Sequence, residues 1–303
     1  MSILGFGEIV WDDIIGQCGS GRPENIGGAP LNVIVHCNRL GMRSGIVSAL
    51  GVDLLGNKTF EIVNRLGVKT DFVSRTDKST CLICVSFDQN GEPCYQIDTD
   101  VSWDHITISD EDMKTIQSQE YYYFYYGTLH QRSNTSHQAL KKILLNCSFS
   151  QVFCDVNLRE PFYNKELLEF CLTHCDIAKM NIKEIGIIGD MFQLTSSDTP
   201  GLMYEMKRRF GMEKLIITQG SDGAHYLSSD QYGFANGYRI EVADTVGAGD
   251  AFSAGLLYQL RQKRPLSEAC EFANCMGAFV ASCKSSIPEY TYEQFLNWRD
   301  GNV

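Results

Sequence analysis

The sequence holds no run of apolar residues long enough to cross a membrane without meeting charges, so no transmembrane segment and no membrane partner are expected. Its opening, Met1-Ser-Ile-Leu-Gly-Phe-Gly7, lacks a basic stretch followed by a long apolar one, and no signal peptide is expected either. Positive charge is in deficit: 26 Lys and Arg stand against 37 Asp and Glu, a formal net charge of -11. That average field repels a nucleic-acid backbone and excludes this class of partner. It leaves phosphate ligands open, because they respond to the local field of backbone amides and metal ions. There is no internal repeat and no low-complexity linker. The pattern Gly-x-x-x-x-Gly-Lys-Ser/Thr is absent, which excludes a P-loop. Gly5-Phe-Gly7-Glu8-Ile9-Val10 does not supply the Gly-x-Gly-x-x-Gly turn of a dinucleotide-binding fold.

Cysteine is plentiful, twelve residues, but scattered, and a chain of 303 residues has core enough to need no staples. The apolar setting of Cys81-Leu-Ile-Cys84-Val85 is typical, so the thiols are expected to be reduced and mostly buried, in a cytoplasmic protein. Cys81 and Cys84 have metal-like spacing, yet residues three apart in a strand face opposite ways. Cys171, His174 and Cys175 lie closer together on a helix and read as its core and edge rather than as a metal site.

What is present is an alternation of apolar strand-like runs with helical segments. That is the pattern of an α/β fold with a mostly parallel sheet covered by helices. The spacing predicts strands at Ile3–Phe6, Gly45–Leu50, Tyr121–Tyr126, Gln151–Val156 and Leu215–Thr218. It predicts helices at Leu31–Leu40, Asn57–Leu66, Lys165–Cys175 and Ala251–Arg261, the first with Pro30 in its opening turn and Gly41 past its end. One stretch breaks the rhythm: Thr80–Phe87 alternates like a strand, 88–91 carries an Asp-Gln-Asn-Gly turn signal, and Cys94–Ile97 resumes the strand. With Trp11–Ile15 it is expected to form a small β cover, drawn from about 11–16 and 80–98, inserted in a single domain spanning 1–303.

The stretch richest in chemistry is Arg239-Ile-Glu-Val-Ala-Asp244-Thr245-Val246-Gly247-Ala248-Gly249-Asp250-Ala251-Phe252. It reads as a strand running into a small-residue turn that opens an amphipathic helix. Gly247, Ala248 and Gly249 let the backbone approach a ligand closely. The first amides of a helix have no internal partners and carry partial positive charge, which makes an anion site. Asp250 falls in that first turn. It is either a carboxylate stabilising the helix N-terminus, or a base beside a bound phosphate, where phosphoryl transfer needs one. Local physics leaves both readings standing.

Asp244-Thr-Val-Gly-Ala-Gly-Asp-Ala-Phe252 closely resembles the C-terminal signature of the ribokinase-like (PfkB) carbohydrate kinases. Gly27-Gly28-Ala29-Pro30-Leu31-Asn32 resembles the family's N-terminal glycine pair, and Gly51-Val-Asp53-Leu-Leu-Gly56 its Gly-x-Asp-x-x-Gly turn. Asn181-Ile-Lys-Glu184 resembles its Asn-x-x-Glu motif, and Ile217-Thr218-Gln-Gly220-Ser-Asp-Gly223-Ala its nucleotide-side strand and turn. Asn274 falls where the family lines the adenine pocket. The motifs keep the family's order over the whole chain. Three features are similar to fructokinases in particular: Gly7-Glu8-Ile-Val-Trp-Asp12, the Gly-Gly-Ala-Pro run, and Asp155-Val-Asn157-Leu-Arg159.

The resemblance implies a three-layer ribokinase-like fold with a β-sheet lid, and ATP-dependent phosphorylation of a small sugar, fructose or a related keto-sugar. It implies Asp250 as catalytic base, the amides of Gly247, Ala248 and Gly249 as an anion hole, and Arg159 beside the reacting groups. Asp12, Gly27, Gly28, Asn32, Asn157 and Asp250 would hold the sugar. Asn181, Thr218, Gly220, Gly223, Gly249 and Asn274 would line the ATP site, and Glu184 would place Mg2+ through water. In relatives a monovalent cation such as K+ binds near the Asp244–Val246 backbone and the last small-residue turn. Here that turn reads Ala281-Ser-Cys-Lys-Ser-Ser286-Ile-Pro288 without the family's glycine, which puts the cation in question. Two other readings stay open: a nucleoside kinase of the same fold, and a non-catalytic sugar sensor, against which the intact Asp250 argues. An exposed lid also leaves room for a homodimer paired across a two-fold axis.

Overall fold

The computed structural model describes residues 2–14, 25–87, 93–229 and 231–302, without the side chains of 12–14, 84–87 and 93–96. The hairpin turn expected at 88–91 lies outside the described residues. Among those described, thirteen strands form two sheets. The strands are β1 (Ser2–Phe6), β2 (Val10–Ile14), β3 (Asn25–Gly27), β4 (Arg43–Gly51), β5 (Lys69–Thr76), β6 (Leu82–Phe87) and β7 (Pro93–Gln96). They continue with β8 (Tyr123–Tyr126), β9 (Gln151–Asp155), β10 (Ile177–Asn181), β11 (Lys214–Thr218), β12 (Gly223–Ser228) and β13 (Gln231–Asn236). The helices are α1 (Ala29–Arg39), α2 (Leu54–Arg65), α3 (Asp110–Ser118), α4 (Asn134–Asn146) and α5 (Lys165–Thr173). After them come α6 (Ile182–Met191), α7 (Thr199–Phe210), α8 (Ala248–Arg261), α9 (Leu266–Ala281) and α10 (Tyr292–Asp300).

The large sheet runs β13-β12-β11-β10-β9-β8-β1-β4-β5. Its members are parallel from β11 to β5, and only the β12–β13 edge is antiparallel. Strand alternation explains the layers. Leu4, Phe6, Phe124 and Tyr126 point to one face and pack with apolar residues of α3 to α7. Ile3, Tyr123, Tyr125 and Phe153 point to the other and pack with α1, α2, α8, α9 and α10. Of the expected Tyr121–Tyr126 strand, Tyr123–Tyr126 forms, a central strand buried on both sides, as a covered parallel sheet requires.

The small sheet runs β3-β2-β6-β7: of the segments expected to form the cover, β2 pairs with β6 and β6 with β7, and Asn25–Gly27 is an added strand. Helix α2 begins three residues before its expected start because Asp53 caps it, accepting the Gly56 N–H at 2.6 Å. Helix α8 also begins three residues early, at Ala248, which puts Gly249 and Asp250 inside its first turn. The strand expected just before Asp244 is not formed. Val242 and Val246 are exposed there, so no core draws the chain into extended pairing, and the Ala243 and Asp244 N–H groups donate instead to the Ala281 carbonyl at 2.9 and 3.2 Å. No helix among the described residues is long and apolar enough to cross a membrane.

Candidate active site

The parallel strands β1, β9, β10 and β11 point their C-terminal ends to one edge of the large sheet, and the first turns of α1 and α8 meet there. Gly247 caps α8 at φ 80°, in the left-handed region, and a Cβ on it would lie 2.6 Å from Ser286 Cβ. Backbone and packing both demand glycine. No side chain caps α8; the Ala248 N–H turns back to the Thr245 carbonyl at 3.2 Å. The helix opening therefore presents its positive end without a competing side-chain oxygen.

Asp250 is half-buried in that turn, and its Oδ2 accepts a hydrogen bond from Asn32 Nδ2 at 2.8 Å. Asn32 is 4% exposed, and its Oδ1 is buried with no partner among the described residues. The Asp250 carboxyl is pushed up to about 6, first by desolvation and then by the Asp155 carboxylate, against the Asn32 bond and the charges of Lys179 and Arg159. Gly28 caps α1 at φ 109°, and a Cβ there would stand 2.5 Å from the Glu8 carbonyl, so the glycine pair holds α1 tight against the residues after β1. Gly27 ends β3, and Asp12 lies in β2 opposite Asn25 and Ile83. Asn157 (φ 41°) and exposed Arg159 follow β9; Arg159 Nη1 donates to the Leu158 carbonyl at 3.2 Å.

On the other side of β10, register places Asn181 beside Thr218 of β11. Gly220 (φ 57°) and Gly223 (φ 128°) flank the tight turn that follows. Asn274 of α9 donates to the Ala235 and Asn236 carbonyls, both at 3.0 Å, which fastens the end of β13 to the helix. Asn181 caps α6, its Oδ1 accepting the Lys183 and Glu184 N–H groups at 2.9 and 3.0 Å. Glu184 Oε2 accepts the Asn181 N–H at 2.7 Å and Oε1 the Leu158 N–H at 2.8 Å. Burial pushes the Glu184 carboxyl up, opposed by the Asn181 bond and by Lys179.

This donor set fits magnesium in one way. No group of three His, Cys, Asp or Glu among the described residues forms a cage. Glu184 keeps lone pairs beyond its two backbone bonds, and Mg2+ usually enters on phosphates with most of its waters. The monovalent-cation region fits less well, since the Ala281 carbonyl already accepts two N–H groups and the Ser286 carbonyl is engaged by His36 Nε2 at 2.9 Å.

The structure thus brings Asn32 to Asp250 in the turn of Gly247–Gly249, with Arg159 near enough to act on that carboxyl, and sets Asn181 beside Thr218, while Gly220, Gly223 and Asn274 lie toward the β11–β13 end of the sheet. Sequence reasoning missed Lys179 and Ser253, which bond to Asp155 beneath Asp250. No motif marked them; the signal lay in a lysine inside a strand otherwise apolar. Cys171 Sγ accepts from Gln131 Nε2, His174 Nδ1 bonds to the Phe170 carbonyl and Cys175 Sγ donates to the Leu172 carbonyl.

A mostly parallel sheet with a small β cover, and a carboxylate at an open helix N-terminus, are the arrangement expected of an ATP-dependent kinase acting on a small hydroxyl compound. The sequence profile described as pfkB family carbohydrate kinase matches residues 20–291, and the chain belongs to that family. It is 26% identical to "Probable fructokinase-2" of Arabidopsis thaliana, over 94% of this chain and 92% of that protein. It is 28% identical to "Fructokinase-1" of Zea mays, over 96% and 95%. Among solved structures, fructokinase with bound ATP from Xylella fastidiosa superposes with a TM-score of 0.85, at 21% identity over 99% of this chain and 98% of that one. The ribokinase-like fold and an ATP-dependent sugar kinase are the outcome.

Proposed function

We propose that the protein transfers the γ-phosphate of ATP to a primary hydroxyl of fructose or a related keto-sugar, with Asp250 as general base. The observation that carries this reading is the Asn32–Asp250 bond, which joins the sugar-side glycine-pair segment to the helix opening suited to phosphate. The fructokinase names of the relatives support the sugar class.

In this reading Asp250 takes the proton of the attacking hydroxyl, whose oxygen forms the new P–O bond as the bond to ADP breaks. The unpartnered Asn32 Oδ1 accepts from a second hydroxyl, and Asp12, Gly27, Gly28 and Asn157 complete the sugar side. Amides at Gly247–Gly249 stabilise the charge on the transferring group, and Arg159 adds a cation from the β9 side. Asn181, Thr218, Gly220, Gly223 and Asn274 border the nucleotide. Glu184 would hold the water shell of a magnesium ion, which when bound would supply charge neutralisation to the phosphates. The small sheet acts as a lid that excludes water, and its outer strands β3 and β7 offer a homodimer contact. A cytoplasmic setting accords with free thiols at every described cysteine.

The test is coupled ADP release with Mg-ATP and a panel of fructose, tagatose, ribose, 2-keto-3-deoxygluconate and adenosine. Turnover greatest on a keto-sugar supports the proposal. Turnover greatest on adenosine assigns a nucleoside kinase. ATP binding with no turnover on any of them sinks the fructose reading.

A further inference from the structure

Beneath Asp250 lies a buried polar group that the reaction scheme above does not use. Lys179 of β10 is 7% exposed. Its ammonium meets three acceptors: Asp155 Oδ1 at 3.1 Å, Asp155 Oδ2 at 3.0 Å and the Gly249 carbonyl at 3.2 Å. Ser253 Oγ reaches the same two groups, Asp155 Oδ2 at 2.8 Å and the Gly249 carbonyl at 3.0 Å, and its single proton serves one at a time. Tyr125 OH donates to Asp155 Oδ2 at 3.3 Å.

A buried ion pair needs no third contact to be neutral. Here the third contact falls on the peptide whose carbonyl belongs to Gly249 and whose N–H belongs to Asp250. A cation on an amide oxygen polarises the peptide and strengthens its N–H as a donor. The fit is close: a Cβ on Gly249 would stand 3.2 Å from Lys179 Nζ. We propose that Lys179, oriented by Asp155, is a positioning residue that fixes the Gly249–Asp250 peptide and so keeps the base and the anion-binding amides in register. This rests on the reading of Asp250 as base.

The charged and polar groups facing Asp250 are Asn32 on α1, Asp155 on β9, Lys179 on β10 and Arg159 after β9; of these, Asp155 pushes its carboxyl up and the others hold it down. The competing account is an ion pair that serves the fold alone. Such a pair is often replaced by neutral side chains at no cost to the rest of the molecule.

The experiment compares the wild type with Lys179→Met, the double variant Asp155→Asn/Lys179→Met, and Asp250→Asn. Each is assayed for sugar and ATP kinetics across pH about 5 to 9, with a thermal melt for each. The expected result is a fall in kcat of about tenfold to a hundredfold in both Lys179 variants, with KM for sugar and ATP within about threefold. In Lys179→Met the acid limb of the pH profile also moves to higher pH. If Lys179→Met fails to fold, the double variant, which buries no lone charge, decides. A folded double variant with kcat within about threefold of wild type, or a loss confined to KM, overturns the proposal. With Asp250→Asn inactive, either result sinks this inference alone; an active Asp250→Asn sinks the base assignment beneath it.

Discussion

Asn32 and Asp250 stand 218 residues apart in the chain, yet the Asn32 side-chain N–H donates to Asp250 Oδ2 at 2.8 Å. Two helix openings are joined by that bond, and each brings a different part of the chemistry. It also holds the Asp250 carboxyl lower than burial alone would. Replacing Asn32 by Ala removes the donor, so the pKa of Asp250 rises above about 6 and the acid limb of kcat/KM against pH moves upward. The sugar KM should rise as well, since the unpartnered Oδ1 is lost with it. Activity at pH about 6 is expected to fall more than at pH about 8. An Asn32→Ala enzyme whose pH profile overlays the wild type would show that the bond does not govern the base.

Asp250 carries a stability consequence opposite in sign to its use in catalysis. Its folded pKa, about 6, lies above the ordinary 3.8. Below pH about 4 both folded and unfolded chains hold the proton. Between about 4 and 6 the folded protein keeps a proton that the unfolded chain releases, so stability falls as pH rises through that window. Asp250→Asn removes this cost while its carbonyl can still accept from Asn32. It should melt at or above the wild type at pH 8, by an amount of about 1–2 kcal/mol after solvent screening, with the gap closing toward pH 4. Turnover should drop by roughly a thousandfold. Equal turnover, or a lower melting point at pH 8 only, would count against Asp250 as a desolvated base.

Much of this is legible in the sequence, and the gaps have physical causes. The parallel core showed because covered strands such as Tyr123–Tyr126 are apolar on both faces, and α8 showed because its apolar residues recur at helical spacing. The β12–β13 hairpin has no clear signal because its alternation is weak: Gln231 is exposed at an edge, and Tyr232 and Phe234 are partly so. The segment before Asp244 was misread because Ile240 and Val242 alternate like a strand without having a core to face. The resemblance set Asn32 and Asp250 in one sugar site but not the bond between them, and the pairing of Lys179 with Asp155 has no local signal, since register between β9 and β10 alone brings them together.

Asp53 ties α2 to the small sheet. One carboxylate accepts from Gly56 N at 2.6 Å, Thr80 N at 2.7 Å and Thr80 Oγ1 at 2.9 Å, two residues before β6 begins. Desolvation would raise its pKa, but these bonds and Arg75 outweigh it and hold the group below the usual carboxylate range. Asp53→Ala should cost about 1–3 kcal/mol, lowering the melting point by several degrees at pH 7. The deficit should shrink as pH falls through the lowered pKa, where the wild type loses the same bonds. If the two proteins differ as much in strong acid as at neutrality, the carboxylate charge is not what stabilises the junction.

Potassium dependence turns on two carbonyls and one histidine. His36 is buried, and desolvation lowers its pKa to about 4, so the ring is neutral at physiological pH. The Ser286 carbonyl can only accept, which makes Nε2 the protonated nitrogen and leaves Nδ1 to accept from Tyr290 OH at 2.9 Å. Ser286 is therefore bound from within the protein, and the Ala281 carbonyl has both lone pairs engaged by Ala243 and Asp244. A monovalent cation at the Ala281 carbonyl would have to displace an internal hydrogen bond, and at Ser286 it would share the carbonyl with His36. Turnover with Mg-ATP in K+ and in Na+ at equal ionic strength should accordingly agree within about twofold. Activation by K+ of about fivefold or more would mean that the stretch from Ala281 to Pro288 rearranges to release those carbonyls, and the His36–Ser286 bond would be the first place to look for the change.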